Sequence, residues 1–174
     1  MSSLSLLPTF ALVAALVTLV GCSTTAVDST APAASTTTDS TAAKIIVELE
    51  DGEFFEAQAA ADHDGFTGTG FADFMRWQGA WVKSTFTAAS AGTYHMTLRF
   101  ANGSFEPRPL RILVNDKVIM EKLIFPPTED EIWDLYRTQT VYNVPLDAGT
   151  NTLTFISLEE DGPNLDSATF VKAE

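Results

Sequence analysis

From residue 45 onward, apolar and polar positions alternate in short runs, the two-residue period of half-buried strands. Ile45-Ile46-Val47-Glu48-Leu49-Glu50 predicts a first strand. Trp81 to Phe86 sets Trp81, Lys83 and Thr85 against Val82, Ser84 and Phe86. Thr93 to Phe100 places Tyr94, Met96, Leu98 and Phe100 on one face and Thr97 and Arg99 on the other. Leu110 to Val114 and Lys117 to Leu123 flank Asn115-Asp116, the residue types of a two-residue hairpin turn. Thr138 to Val144 and Asn151 to Leu158 are joined through the turn signal Asp147-Ala148-Gly149-Thr150, and Ser167 to Val171 forms the last strand. No long stretch carries a helical period. Short strands at regular spacing predict an all-β fold, an antiparallel β-sandwich over residues 44–174.

The N-terminal part reads differently. An apolar run from Leu12 to Val20 leads into Leu19-Val20-Gly21-Cys22, and Cys22 is the only cysteine. The run is shorter than the ~20 apolar residues a membrane-spanning helix needs, but it suits a removable export segment. The pattern resembles a bacterial lipoprotein signal over residues 1–21, with Cys22 as the site of lipidation and the mature N-terminus. Acyl chains there would hold the protein to a membrane. Ser23, rather than Asp, after the cysteine fits sorting to the outer membrane of the bacterial cell envelope under that resemblance. Residues 22–43 are rich in Ser, Thr and Ala and read as a tether. A lone cysteine leaves no intramolecular disulfide, so core packing or a metal must stabilise the exported fold.

Charge narrows the partners. The formal net charge is −13, and residues 1–21 contribute none of it. Phosphate backbones repel such a surface, which argues against nucleic acid. Without a polybasic face, membrane contact falls to the lipid alone.

Glu48 and Glu50 lie two apart on one strand, so both project from one face about 7 Å apart. That arrangement admits three readings. A divalent cation can sit between them, since calcium takes oxygen ligands in irregular geometry. They can form a solvated acidic edge. They can also serve as the acid and base of a glycosidase, which needs two carboxyls ~5–9.5 Å apart. Glu159-Glu160-Asp161 reads as a solvated loop. His63 and His95 lack a nucleophilic partner or zinc spacing and read as structural or exposed. Arg99 reads as an ion-pair partner.

Several segments, in order along the chain, carry a family pattern. They are Val47-Glu48-Leu49-Glu50, Gly65-Phe66-Thr67-Gly68-Thr69-Gly70-Phe71, Ala91-Gly92-Thr93-Tyr94 and Leu98-Arg99-Phe100-Ala101-Asn102-Gly103. Arg108-Pro109-Leu110, Val114-Asn115, Leu146 to Thr152 and Asp161-Gly162-Pro163-Asn164-Leu165-Asp166 complete the set. Together they resemble family 35 carbohydrate-binding modules (CBM35) and, more loosely, the related family 6 (CBM6). The resemblance implies a jelly-roll-like, galactose-binding-domain-like sandwich that binds plant or algal polysaccharide without catalysis, uronic-acid-containing in some members. It implies a structural Ca2+ ion held by Glu48, Glu50 and Asp166. By position it places a sugar site on Phe66, Asn102, Arg108, Trp133 and Asn164. Those residue types suit a saccharide ligand, because aromatic faces stack on pyranose C–H faces, while amides and guanidinium groups bond hydroxyls or carboxylates in pairs. Each also has a plain structural role open to it, Asn102-Gly103 as a turn and Trp133 as a core cap. The implied partners are a polysaccharide or oligosaccharide and polysaccharide-degrading enzymes. The alternatives are a small cell-surface glycoside hydrolase or polysaccharide lyase using the acidic residues, and an envelope protein whose sandwich serves protein contacts.

Overall fold

The computed structural model describes residues 44–174. The signal over residues 1–21, the tether over 22–43 and Cys22 lie outside the described residues. Eleven strands follow in order: β1 (Ile45–Glu48), β2 (Glu53–Phe55), β3 (Ala57–Ala60), β4 (Phe71–Phe74), β5 (Trp81–Ala88), β6 (Gly92–Ala101), β7 (Arg108–Val114), β8 (Lys117–Phe125), β9 (Arg137–Leu146), β10 (Gly149–Ser157) and β11 (Asn164–Lys172). They form two sheets with every pairing antiparallel. One sheet runs β3-β4-β11-β6-β9, with β1 also on β11; the other runs β2-β5-β10-β7-β8. Among the described residues there is no helix, and the all-β sandwich read from the alternation is the fold.

Side-chain alternation sorts core from surface as the two-residue period requires. Along β6, Tyr94, Met96, Leu98 and Phe100 are buried while His95, Thr97 and Arg99 are only partly covered. Phe86 stacks on Phe170 at 4.8 Å between centroids, and Phe100 meets Phe125 edge-on at 4.9 Å. The hairpin at Asn115-Asp116 forms as its residue types predict, with φ of 52° and 59°, the left-handed pair of a tight turn. Val114 pairs directly with Lys117 across it.

Three features depart from the sequence reading. The first strand ends at Glu48, so Glu50 lies in the turn beyond it and strand alternation does not put the two glutamates on one face. Strands β2, β3 and β4 are short and lie within a stretch that shows no clean alternation. The last strand starts at Asn164 rather than at Ser167.

One irregularity positions acidic residues. β11 pairs with β1 over residues 167–170 and with β4 at Leu165, so its partner changes at Asp166. Its register against β6 also shifts between Leu165 and Ser167. A bulge of this kind turns one side chain out of the regular order. Asp166 therefore faces the gap between β1 and β4, which the β3–β4 loop fills. At the end of the sandwich where β6 and β10 finish and β11 begins, the loops at residues 61–70, 102–107, 126–136 and 158–163 gather.

Candidate carbohydrate site and acidic cluster

The largest concentration of chemistry at the loop end is a cleft of about 430 Å³. Its lining includes Asp62 and His63 from the β3–β4 loop, Asp73 on β4, Arg76 just beyond it, Arg108 and Trp133. Asp161 and Asn164 form a further wall. Asn164 is 3% exposed, yet its amide bonds no other described residue. A buried amide without an internal partner is costly, so one that opens onto a cleft is poised for a ligand.

Arg108 is held rigidly. Its Nη1 donates to Gly162 O at 2.7 Å and its Nε to Ser104 Oγ at 3.2 Å, while Nη2 lies 3.7 Å from Asp161 Oδ2. The guanidinium sits 4.8 Å above the Trp133 ring, a cation–π contact. Burial lowers its pKa, and Asp161 and Asp73 oppose that shift. Asp73 is pushed the other way: burial raises its carboxyl above the ordinary range, against a 3.4 Å hydrogen bond from Gln58. Arg76 is exposed and makes no ion pair among the described residues. It is thus the cation of the cleft free of partners among the described residues, whereas two of the five Arg108 N–H donors hydrogen-bond the protein and the guanidinium also pairs with Asp161.

Aromatic groups line one side in a row. Trp133 stacks on His63 at 6.0 Å, and His63 meets Phe71 at 6.2 Å. Trp133 can lie flat on the β6–β7 loop because Gly103 has no side chain. A Cβ there would come within 2.7 Å of two indole atoms and 2.9 Å of the Ile132 carbonyl carbon.

Of the five residues assigned to sugar binding from the sequence, Arg108, Trp133 and Asn164 meet in this cleft. Phe66 and Asn102 do not line it. Phe66 packs behind Phe71 at 6.1 Å. Asn102 is fully buried, and its amide is consumed by the loop: Nδ2 donates to Glu106 O and Phe125 O at 3.0 Å, and Oδ1 accepts from the Ser104 backbone N at 3.1 Å and from Ser104 Oγ. It acts by shaping the segment from which Arg108 projects. His63 and Asp161, read from the sequence as structural or solvated, do line the cleft. So do Asp73 and Arg76, which the sequence reading passed over. The available signal was Phe71-Ala72-Asp73-Phe74, a strand-length segment with one acid at its centre, running into Arg76-Trp77.

The second cluster surrounds the β3–β4 loop. Thr67 Oγ1 donates to Glu48 Oε2 at 3.2 Å and to Asp166 Oδ2 at 2.9 Å, and Thr67 N donates to Asp166 Oδ1 at 2.6 Å. Glu50 Oε1 accepts from Thr69 N at 2.8 Å and Gly70 N at 3.2 Å. Arg99 Nη1 donates to Asp166 Oδ2 at 2.7 Å, the ion-pair role read for Arg99 from the sequence. The three carboxylates therefore converge on one loop. Among the described residues, however, no group of three or more His, Cys, Asp or Glu side chains stands in metal-binding geometry. Glu50 Oε2 is buried without a hydrogen-bond partner. Burial, then the charges of Glu50 and Asp166, raise the Glu48 carboxyl above its ordinary 4.5, while the Thr67 hydroxyl pulls it back. An orphaned carboxylate oxygen among like charges fits an oxygen-seeking cation.

No family model matches the chain. The exo-β-D-glucosaminidase of Amycolatopsis orientalis is 35% identical over 123 residues, 70% of this chain and 12% of that protein. The chain spans less than a fifth of the curated relatives it matches first. Among solved structures, a family 35 carbohydrate-binding module from Clostridium thermocellum superposes with a TM-score of 0.70 at 26% identity, over 76% of this chain and all of that one. Xyl-CBM35, in complex with a glucuronic-acid-containing disaccharide, matches at 0.63 and 28%, over 75% of this chain and 94% of that one. A family 35 module from an environmental isolate matches at 0.63 and 32% identity, over 73% of this chain and 92% of that one. With its fold, its loop-end cleft and a relative this similar over nearly its whole length, the chain belongs to the family 35 carbohydrate-binding modules.

Proposed function

We propose that the cleft grips a uronic-acid-bearing plant or algal polysaccharide and releases it unchanged. The observation that carries this reading is Asn164, buried, without an internal partner and lining the same cleft as Trp133, Arg76 and Arg108. A pyranose face packs on the indole, the amide bonds a pair of hydroxyls, and Arg76 supplies the fork for a carboxylate. Xyl-CBM35, similar in fold, was solved with a glucuronic-acid-containing ligand, which supports the acidic sugar.

Glu48, Glu50 and Asp166 are the residues that would hold a calcium ion, with Glu50 Oε2 the oxygen that lacks any other partner. Bound there, the ion supplies positive charge that ties the first strand to the last. Upstream, acylated Cys22 anchors the module to the outer membrane, and the tether over residues 22–43 lets it present polysaccharide to degrading enzymes. Titration calorimetry with glucuronoxylan fragments, neutral xylan fragments and oligogalacturonates tests the binding. Saturable heat with a uronic-acid-bearing ligand, lost in Asn164→Ala and Arg76→Ala, supports it; no heat with any saccharide overturns it. Radiolabelled palmitate incorporation that disappears in Cys22→Ser tests the anchor.

One observation favours catalysis instead. Burial raises the Asp73 carboxyl above its ordinary range in a cleft that Asp161 also lines, and a carboxyl held protonated is what a glycosidase general acid requires. New reducing ends released from a bound polysaccharide, and abolished by Asp73→Asn, would establish that reading in place of binding alone.

A further inference from the structure

A second hollow of about 490 Å³ adjoins the first. Its lining includes Ser104, Phe105, Glu106, Arg108, Glu159 and Asp161. Arg108 and Asp161 line both hollows. Their contact, 3.7 Å between Nη2 and Oδ2, is the ridge that the two hollows share. Phe105 stands beside the second hollow at 66% exposure. A side chain of that size, left in water at a loop tip held by Asn102 and Ser104, gives up apolar burial that an inward position would provide.

From this continuity we infer that the site has two subsites, and that one saccharide chain crosses the Arg108–Asp161 ridge to stack its next unit on Phe105. The inference rests on the proposed function and adds the class of ligand: an extended chain rather than an isolated terminal unit. The charges then set the order of units. The first hollow holds Arg76 and Arg108 against three aspartates. The second holds Glu106, Glu159, Glu160 and Asp161 against Arg108 alone, which already pairs with Asp161. Carboxylates accept hydrogen bonds from hydroxyls and repel a second carboxylate. The unit in the second hollow is therefore uncharged, and a homopolymer of uronic acid is disfavoured there.

Calorimetry on the intact domain with three probes tests this: a free uronic acid, the same unit linked to two neutral sugars, and an all-uronic trisaccharide. The mixed trisaccharide is expected to bind about three- to tenfold more tightly than the monosaccharide, the range of one aromatic stack. Phe105→Ala is expected to remove that gain and to leave the affinity for the monosaccharide as it was. The all-uronic trisaccharide is expected to gain nothing until Glu106, Glu159 and Glu160 are changed to Gln. Equal affinity for the monosaccharide and the mixed trisaccharide, or a gain that survives Phe105→Ala, overturns the second subsite while leaving the first in place. Failure of every probe to bind overturns both.

Discussion

Arg99 Nη1 donates to Asp166 Oδ2 at 2.7 Å, and Asp166 has no exposed surface at all. The pair joins β6 to the bulge of β11, and Arg99 Nη2 also donates to Gly65 O at 2.7 Å. One guanidinium therefore fixes the acidic residue at the strand switch and the loop that covers it. Arg99→Ala leaves a buried carboxylate with only Thr67 and Ser167 as donors. The cost is about 2–3 kcal/mol, moderated because the arginine itself is partly exposed. Urea unfolding of the variant is expected to show that loss.

Calcium and pH are expected to act on the same cluster with opposite signs. Without a cation, the Glu48 carboxyl has a folded pKa raised above 4.5. Its contribution to stability is then complete below its unfolded pKa and is lost as pH rises through the folded value. In chelator, the melting temperature should fall on this account as pH climbs from 4.5 toward neutrality. Calcium requires the ionised carboxylates, so its stabilisation grows over the same rise. At a concentration 100 times its Kd it is worth about 2.7 kcal/mol. Glu48→Gln is expected to flatten both dependences in melting curves.

Gly68 tests how tightly the β3–β4 loop closes on the acids. Its φ is +65°, and a Cβ there would run into Glu50 Oε1 and lie 3.2 Å from Glu48 Cδ. Gly68→Ala combines a disfavoured backbone with this clash. A loss of about 1–3 kcal/mol is expected, together with a weaker calcium-induced rise in melting temperature.

Gly103→Ala is expected to act on the cleft more than on the core. The new methyl would displace the Trp133 ring from beneath Arg108, and the ring is the proposed stacking platform. Saccharide affinity should fall about tenfold or more, with a changed tryptophan emission. A variant that binds with unchanged affinity would show the ring to be dispensable.

Asn102 and Asn164 are expected to separate cleanly. Asn102→Ala removes four hydrogen bonds that order the β6–β7 loop. It should cost about 2–3 kcal/mol of stability and weaken binding only through the loosened Arg108 segment. Asn164→Ala removes an amide with no internal partner. It should leave stability nearly unchanged and reduce affinity about fivefold to tenfold. Melting curves and calorimetry on the two variants, side by side, check both expectations.

The strands that run through the core were legible because alternation is a local property. Tyr94, Met96, Leu98 and Phe100 identify the inward face of β6 wherever the other strands lie. Asn115-Asp116 likewise fixes its hairpin through backbone preferences of its own. β4 was not legible, because Phe71-Ala72-Asp73-Phe74 serves the core and the cleft floor at once and breaks the alternation. The ordered motifs brought Arg108 and Asn164 to notice, the resemblance added Trp133 by position, and the three do meet in the cleft. They could not exclude Asn102, since an amide spent on its own loop and an amide offered to a ligand look alike in one dimension.

By itself, the sequence determined the all-β sandwich, its hairpins and the family, because each is written in residue types and short spacings. Tertiary structure alone decided which polar groups are already partnered. Arg108 bonds Ser104 and Gly162 while Arg76 pairs with no described residue, and the Asn102 amide is spent while that of Asn164 opens to the cleft. Availability for a ligand depends on neighbours tens of residues away, brought close by β11 changing partners at Asp166. Spacing along a chain does not carry that information, because hydrogen-bond satisfaction is a property of the packed whole.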